Sequence, residues 1–231
     1  QLDPEDTICN GATDNATGAA AVLAVGRMLD AAPRPPRRTV VLAFWDREED
    51  GLLGARHWMT DPLVPLDATV AYVNLDIQGA NLRPSVRDTT FAVGAETGGP
   101  ELRDAVDRAT RWSRPLITRQ LSLVFGLGRS DHAVFAANSI PTVFFTDSTG
   151  PCYHTTGDDV DVVDFAKLRL QTETVRALVR DLSAGRVTPT FVDDAPTSTY
   201  DDALSLLGVL DDGLDDLDTF SPEHQQTLLE S

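Results

Sequence analysis

The chain has 231 residues, of which 42% are hydrophobic and 24% charged, as is typical of a globular protein with a sizeable core. Its formal net charge of -17 argues against nucleic acid or anionic lipid as a partner, because both carry negative charge themselves. No run of about 18 apolar residues predicts a membrane-spanning helix. No signal peptide is visible in the sequence. Export to a periplasm or to the exterior stays open, because any signal sequence would lie before this chain's first residue.

Four short segments rich in β-branched and aromatic residues predict β-strands. Three of them are nearly continuous apolar runs, which is typical of strands buried on both faces of a parallel sheet. Segments with helical periodicity alternate with these strands, and this order predicts an α/β three-layer sandwich whose mostly parallel central sheet is flanked by helices. In chain order, the predicted strands are Thr39–Asp46, Val70–Asp76, Thr89–Ala95 and Ile140–Asp147, and the predicted helices are Ala16–Leu29, Glu101–Trp112 and Phe165–Leu182.

The composition changes near the carboxyl end of the chain. Residues 187–231 contain eleven Asp and Glu but neither Lys nor Arg, so they carry most of the net negative charge. The stretch RVTPTFVDDAPTST, just after Gly185, is typical of a linker, and beyond it leucines recur at helical spacing between aspartates. We expect a main domain over residues 1–186, a linker over 187–200 and an acidic amphipathic helical tail over 201–231. The apolar face of the tail would dock on the main domain or on a neighbour, unless the tail is a solvated extension.

Candidate functional residues follow the predicted strands. In α/β folds such residues gather at the carboxyl ends of strands. Each one alone has an ordinary explanation: an Asp before a helix is most often an N-cap, paired glutamates often begin a solvated helix, and a loop His is usually just exposed. Carboxylates and an imidazole from four loops at one edge favour zinc, often as a two-metal site. These residues are Asp14 in GATDNATG, Glu48 and Glu49 after the first strand, Asp76 in NLD, and Tyr153 and His154 in CYHTTGDD.

The adjacent Glu48 and Glu49 repel each other unless their surroundings differ. At a metal site, one carboxylate can bind the ion while the other stays free beside a water molecule and takes its proton. Gly51 and Gly54 then let the following turn pack closely against the site. The sequence therefore predicts a ligand and a general base at neighbouring positions.

Five motifs occur in the order of a known family: GATDNATG, DREEDGLLGAR, NLD, SDHAVF and CYHTTGDD. On these motifs the chain resembles the zinc aminopeptidases that include bacterial leucyl aminopeptidases, aminopeptidase Y and glutamate carboxypeptidases. The resemblance covers about residues 1–185 and implies a zinc exopeptidase fold acting on peptides. It implies that Asp14 bridges two zinc ions, that Glu49 and His154 bind one ion and Asp76 the other, that Glu48 is the general base, and that Tyr153 steadies the oxyanion.

Two further points come from the same resemblance. Asp131 and His132 match the family's SDH motif, where a supporting role near the site and a structural role are equally open. The family has His-x-Asp where this chain has Gln1-Leu2-Asp3, so either glutamine replaces the ligand His or these first residues differ from the natural protein. The strands that normally precede this point are absent. We therefore expect an N-terminally incomplete sheet that lacks strands. An amide oxygen is a weak zinc ligand, so one ion should bind tightly at Asp14, Glu49 and His154, with a second weakly bound or missing.

Three functions remain open at this stage. The favoured one is a metallo-exopeptidase that removes residues from peptide ends. The second is a single-zinc transferase resembling glutaminyl cyclases, although that family's Trp-His-Thr is Tyr153-His154-Thr155 here. The third is a receptor-like relative without metal. It is disfavoured because all candidate site residues remain, apart from the family's His at the position of Gln1. The oligomeric state is undetermined, and Cys9 and Cys152 either form one disulfide or stay as free thiols.

Overall fold

The computed structural model describes residues 5–222 and Gln225. Its centre is a four-stranded sheet with the strand order β1-β4-β2-β3. β1 pairs with β4 and β2 with β3 in parallel, whereas β2 and β4 are antiparallel, so the sheet is mixed with a parallel majority. The bounds of the strands are Tyr72–Leu75 (β1), Thr89–Val93 (β2), Ile117–Leu121 (β3) and Thr142–Thr146 (β4).

Helices cover both faces of this sheet, which confirms the α/β sandwich. α1, α3 and α5 pack with Leu75, Val143 and Phe145 in the main apolar core, while α2 and α4 pack with Tyr72 on the other face. The alternation of side chains along β1 produces this division, because Tyr72 and Leu75 point to opposite faces. The helices are Thr17–Asp30 (α1), Leu53–Thr60 (α2), Gly99–Thr110 (α3), His132–Ala137 (α4), Phe165–Ser183 (α5) and Tyr200–Gly213 (α6), with 3-10 turns at Leu66–Ala68, Ala95–Gly98, Leu123–Phe125, Val160–Val162 and Leu214–Thr219.

The predicted strand Thr39–Asp46 is wrong in this structure. Its residues belong to no ladder, and within the described part of the chain residues 39–45 make no backbone hydrogen bond. The segment and β1 both line a cavity of 840 Å³, and among the described strands none pairs with the segment. Consequently, apolar side chains such as Val41 and Phe44 are exposed rather than buried in a sheet.

The tail packs on the body through a face that the apolar pattern did not predict. α6 lies along the edge strand β3, where Ser205 Oγ donates to the Gln120 carbonyl and Arg119 pairs with Asp212 at 2.8 Å. Most leucines of the predicted apolar face are exposed, and Leu207 is 54% exposed. A polar helix face thus covers the free edge of the sheet, which would otherwise offer unpaired backbone groups to other chains. The domain boundaries at 186 and 200 remain predictions.

Two smaller expectations can be compared with the structure. Cys9 and Cys152 are both free thiols, so the disulfide alternative fails here. Among the described residues, no helix has the length and apolar character required to cross a bilayer. Gln1 and Asp3, on which the expectation of a weakened second zinc depends, lie outside the described residues.

Candidate active site

Four loops carry the candidate residues. Asp14 lies in the turn Ala12–Ala16 before α1, the glutamate pair precedes α2, Asp76 directly follows β1, and His154 follows β4. Three of these loops contain a non-glycine residue in the left-handed region: Arg47 at φ 58°, Ile77 at φ 58° and His154 at φ 56°. This conformation is unfavourable for bulky L-residues and often occurs where function fixes the backbone.

Asp14, Glu49 and His154 come together although they are far apart in sequence. His154 Nε2 lies 3.0 Å from Glu49 Oε1 and 3.2 Å from Asp14 Oδ2. One ligand atom from each of the three residues lies within 4.8 Å of the other two. Two carboxylates and an imidazole at this spacing form a donor set that suits zinc, with room for a fourth ligand from water or substrate.

Asp76 lies beside this cluster and is 7% exposed. Its carboxyl is hydrogen-bonded to the Asp14 carboxyl and to the Ser130 hydroxyl. Its Oδ1 atom is nevertheless buried without a partner among the described residues. Burial above all, and then the charges of Asp14 and Glu48, raises the pKa of Asp76 to about 7. A buried carboxylate oxygen without a donor is costly, and a cation at this position would satisfy it.

Glu48 differs from Glu49 in its surroundings. Glu49 is exposed and reaches His154, whereas Glu48 is half-buried; both line the same cavity as Asp14 and Asp76. Burial, followed by the charges of Glu49 and Asp131, raises the pKa of Glu48 to about 7. A carboxylate with a pKa near neutrality is well matched to accept a proton and then return it.

The sequence matches the family model for peptidase family M28 over residues 2–179, more than three quarters of the chain. The chain belongs to peptidase family M28. It is 33% identical over 168 residues to a probable glutamate carboxypeptidase LAMP1 of Arabidopsis thaliana, covering 64% of this chain and 23% of that protein. It is 30% identical over 189 residues to aminopeptidase NAALADL1 of Mus musculus, covering 69% of this chain and 25% of that protein.

A solved M28-like structure agrees in fold. The zinc aminopeptidase BSAP from Bacillus subtilis superposes with a TM-score of 0.64 at 21% identity, covering 81% of this chain and 46% of that one. The chain thus spans about a quarter of the two curated relatives and about half of this structure. The family model and this superposition establish the family and the fold of the chain. The activities named for the longer relatives are those of the longer relatives.

The two residues of the SDH motif near the candidate site differ in their surroundings. Asp131 is buried, its pKa is raised to about 6 by burial, and its charge contributes to the raised pKa values of Glu48 and Asp76. His132 instead stacks on Phe144 at 4.4 Å in the core, where burial lowers its pKa to about 4. Of the two alternatives for the SDH motif, the geometry favours proximity to the site for Asp131 and a packing role for His132.

Tyr153 lies on the candidate ligand. Its ring stacks on His154 with centroids 3.8 Å apart. Partial burial, followed by the negative charges of Asp14 and Glu49, raises the pKa of the Tyr153 phenol. The phenol therefore keeps its proton at neutral pH and can donate a hydrogen bond beside the cluster.

A chain of hydrogen bonds that the sequence did not predict leads to Asp76. Trp45 Nε1 donates to Tyr72 Oη at 2.9 Å, and Tyr72 Oη donates to Asn74 Oδ1 at 2.8 Å. Asn74 Nδ2 then donates to Ser130 Oγ at 2.8 Å, and Ser130 hydrogen-bonds Asp76. Partners of this kind fix the orientation of a metal ligand.

A buried ion pair holds the loop that follows Asp76. Lys167 Nζ lies 3.1 Å from Asp147 Oδ1 and donates to the Ala80 carbonyl at 2.7 Å. Asp147 Oδ2 accepts from the Ala80 N–H at 2.9 Å, and Gln171 Nε2 donates to Asp147 Oδ1 at 2.7 Å. Lys167 is the chain's only lysine, so this one buried cation links the loops after β1 and β4.

Proposed function

We propose that this chain is the catalytic part of a zinc-dependent exopeptidase, an aminopeptidase that cleaves residues from peptide ends. The observation that supports this most strongly is the convergence of Asp14, Glu49 and His154 within 4.8 Å of one another. Glu48, with a pKa near 7, lines the same cavity as Asp14 and interacts with its charge, and so is available as a base. Membership of peptidase family M28 agrees with this reaction class.

The donor set fits zinc. Asp14, Glu49 and His154 would hold the ion, and Asp76, with its unpartnered oxygen, would hold a second one together with Asp14. When bound, zinc supplies a Lewis acid that polarises the scissile carbonyl and makes water easier to deprotonate. It would also neutralise a cluster of carboxylates that otherwise raise one another's pKa.

The protein's own groups would move the proton. The Glu48 carboxylate takes the proton from the attacking water as the new C–O bond forms. The same carboxyl then returns that proton to the amine nitrogen, so the C–N bond breaks and a neutral amine leaves. The Tyr153 phenol donates a hydrogen bond to the oxygen that becomes negative in the tetrahedral intermediate.

Two variants at neighbouring positions test the assignment. Glu48→Gln should keep zinc content unchanged and reduce hydrolysis of aminoacyl-nitroanilides by roughly a hundredfold or more, because it removes only the base. Glu49→Gln should lose zinc as well as activity, because it removes a ligand. Zinc is measured per chain by elemental analysis. A Glu48→Gln variant with a near-normal rate would overturn the role of Glu48.

The glutaminyl-cyclase alternative is separated by a second substrate. A peptide with N-terminal glutamine releases ammonia if the chain is a cyclase and releases free glutamine if it is an aminopeptidase. Ammonia release with no aminoacyl-nitroanilide turnover would replace the proposed function by the alternative. A chain that binds no zinc and acts on neither substrate would fit the receptor-like relative.

We further infer that this chain binds one zinc tightly and a second weakly. Three good ligands form the usual set of a catalytic zinc. Within the described part of the chain, the second ion would have Asp14 and Asp76, whose Oδ1 has no partner. Gln1→His should raise the zinc content from one towards two per chain and increase the rate, because imidazole is a better zinc ligand than an amide oxygen. Two tightly bound equivalents in the unaltered chain would contradict this inference.

A further inference from the structure

Asp158 connects the two loops that carry Asp14 and His154. It lies four residues after His154 and is 2% exposed. Its side chain points at the turn Ala12–Ala16, where Asp14 lies, although the two segments are more than 140 residues apart in sequence. The Ala12 N–H also donates to the Asp158 carbonyl at 2.9 Å, so both the backbone and the side chain of Asp158 join the loops.

The Asp158 carboxylate accepts from three donors of that turn. The Thr13 N–H lies 2.9 Å from Oδ1 and 3.1 Å from Oδ2, and the Thr13 hydroxyl donates to Oδ1 at 2.7 Å. The Asp14 N–H donates to Oδ2 at 3.0 Å. All of these partners are donors, so both carboxylate oxygens are used as acceptors. Backbone N–H groups converging on one anion form a rigid arrangement that a neutral side chain cannot fully replace.

These bonds fix the backbone of Asp14 itself. Asp14 has φ -122° and ψ 84°, which are not helical values, so the turn around it cannot rely on regular helical hydrogen bonds. Its N–H is instead held by Asp158, while the Asp14 side chain lies 3.2 Å from His154. Asp14 is therefore linked to the His154 loop through both its backbone and its side chain.

We propose that Asp158 is a positioning residue that sets the distance between Asp14 and His154 for zinc binding. This inference rests on the proposed function only in that the cluster binds zinc. Asp158 does not contact the ion; it acts through the backbone of residues 13 and 14. Partners that orient metal ligands typically change metal affinity by about 10–100-fold when they are altered.

The chain offers a closely matched control for this idea. Asp202 is 3% exposed and accepts from the Ser122 N–H and hydroxyl, both at 2.6 Å. It also accepts from the Thr199 hydroxyl at 2.7 Å. It therefore has the same burial and the same kinds of donors as Asp158. However, it lies against β3, at the opposite edge of the sheet from β1 and Asp76.

The experiment compares Asp158→Asn with Asp202→Asn. An amide offers one acceptor oxygen and turns an NH₂ group toward donors, so both variants should lower the Tm of the metal-free chain by similar amounts. Zinc affinity, measured by competition with a chromophoric chelator, should fall about 10–100-fold for Asp158→Asn and stay within twofold for Asp202→Asn. Equal zinc affinities in the two variants would overturn the positioning role.

A milder pair covers the case in which Asp158→Asn does not fold. Thr13→Val and Thr199→Val each remove one hydroxyl donor to the respective aspartate while keeping its backbone donors. Only Thr13→Val should weaken zinc binding, and an unchanged affinity there would count against the proposal. A wild-type chain that binds zinc without hydrolysing peptides would refute the proposed function alone, whereas a folded wild-type chain that binds no zinc would refute both.

Discussion

Replacing Asp76 by Asn should make the metal-free chain more stable, and increasingly so as the pH rises. Burial raises the pKa of Asp76 to about 7 from 3.8. A carboxyl with a higher pKa in the folded than in the unfolded chain binds more protons when folded, so its contribution to stability is present below about pH 4 and is lost as the pH rises towards 7. At about 1.4 kcal/mol per pKa unit, the loss is about 4 kcal/mol.

An asparagine does not titrate, so the Asp76→Asn variant escapes this loss. The difference in the free energy of unfolding between variant and wild type should therefore grow by about 4 kcal/mol between about pH 4 and pH 8. The measurement is urea unfolding followed by circular dichroism, with a chelator present throughout. Burial lowers the pKa of His132, which adds a pH dependence of opposite sign, but both chains share it and it cancels in the difference.

The result that would refute this reasoning is a difference that stays constant with pH or that favours wild type at high pH. Either would mean that Asp76 is ionised in the folded chain without a metal, with its unpartnered oxygen satisfied in another way. Asp164 serves as a reference, because hydrogen bonds from the Lys167 N–H and then from Arg87 lower its pKa despite partial burial. Asp164→Asn should therefore show no growing advantage over this pH range.

Two further changes probe the rest of the fold. Deleting residues 190–231 should leave zinc content unchanged but lower stability and increase light scattering, because the edge of β3 loses the cover of α6; loss of zinc on deletion would make the tail part of the catalytic fold. Lys167→Met should cost about 3–5 kcal/mol in urea unfolding, because it leaves Asp147 buried without its cation. Replacing the exposed Arg169 by Met should change the free energy of unfolding by no more than about 0.5 kcal/mol. A similarly small change for Lys167→Met would show that Asp147 does not need its charge partner.

The sequence predicted those parts of the fold in which local pattern and tertiary burial agree. β1, β2 and β4 are largely apolar runs in the sheet. Each lies within its predicted segment, which extends slightly further at one or both ends. β3 was missed because its sequence, ITRQL, alternates polar residues on an edge strand. Thr39–Asp46 failed for the opposite reason: its apolar, β-branched pattern is that of a buried strand, but strand formation also requires a neighbour within hydrogen-bonding distance.

The clustering of Asp14, Glu49 and His154 was predictable from the sequence, but the groups hydrogen-bonded to their loops were not. Asp14, Glu49 and His154 were found because strand-end loops bring carboxylates and imidazole to one edge of the sheet. Asp158 was overlooked although it stands in the quoted CYHTTGDD motif, since nothing in the sequence indicates that it accepts from residues 13 and 14. For the tail, helical periodicity identified α6 but could not show that its polar face makes the contact.

The spread of the candidate ligands along the chain has a consequence for how long the protein survives. An ion held by Asp14 and His154 would close a loop of 140 residues, and such a site exists only after nearly the whole sheet has assembled. The ion would then bind the folded chain and not the unfolded one, adding about 2.7 kcal/mol at a free concentration a hundred times its Kd. Resistance to degradation would therefore increase with the free zinc concentration around the protein. At low zinc, the amount of folded chain would fall together with its activity.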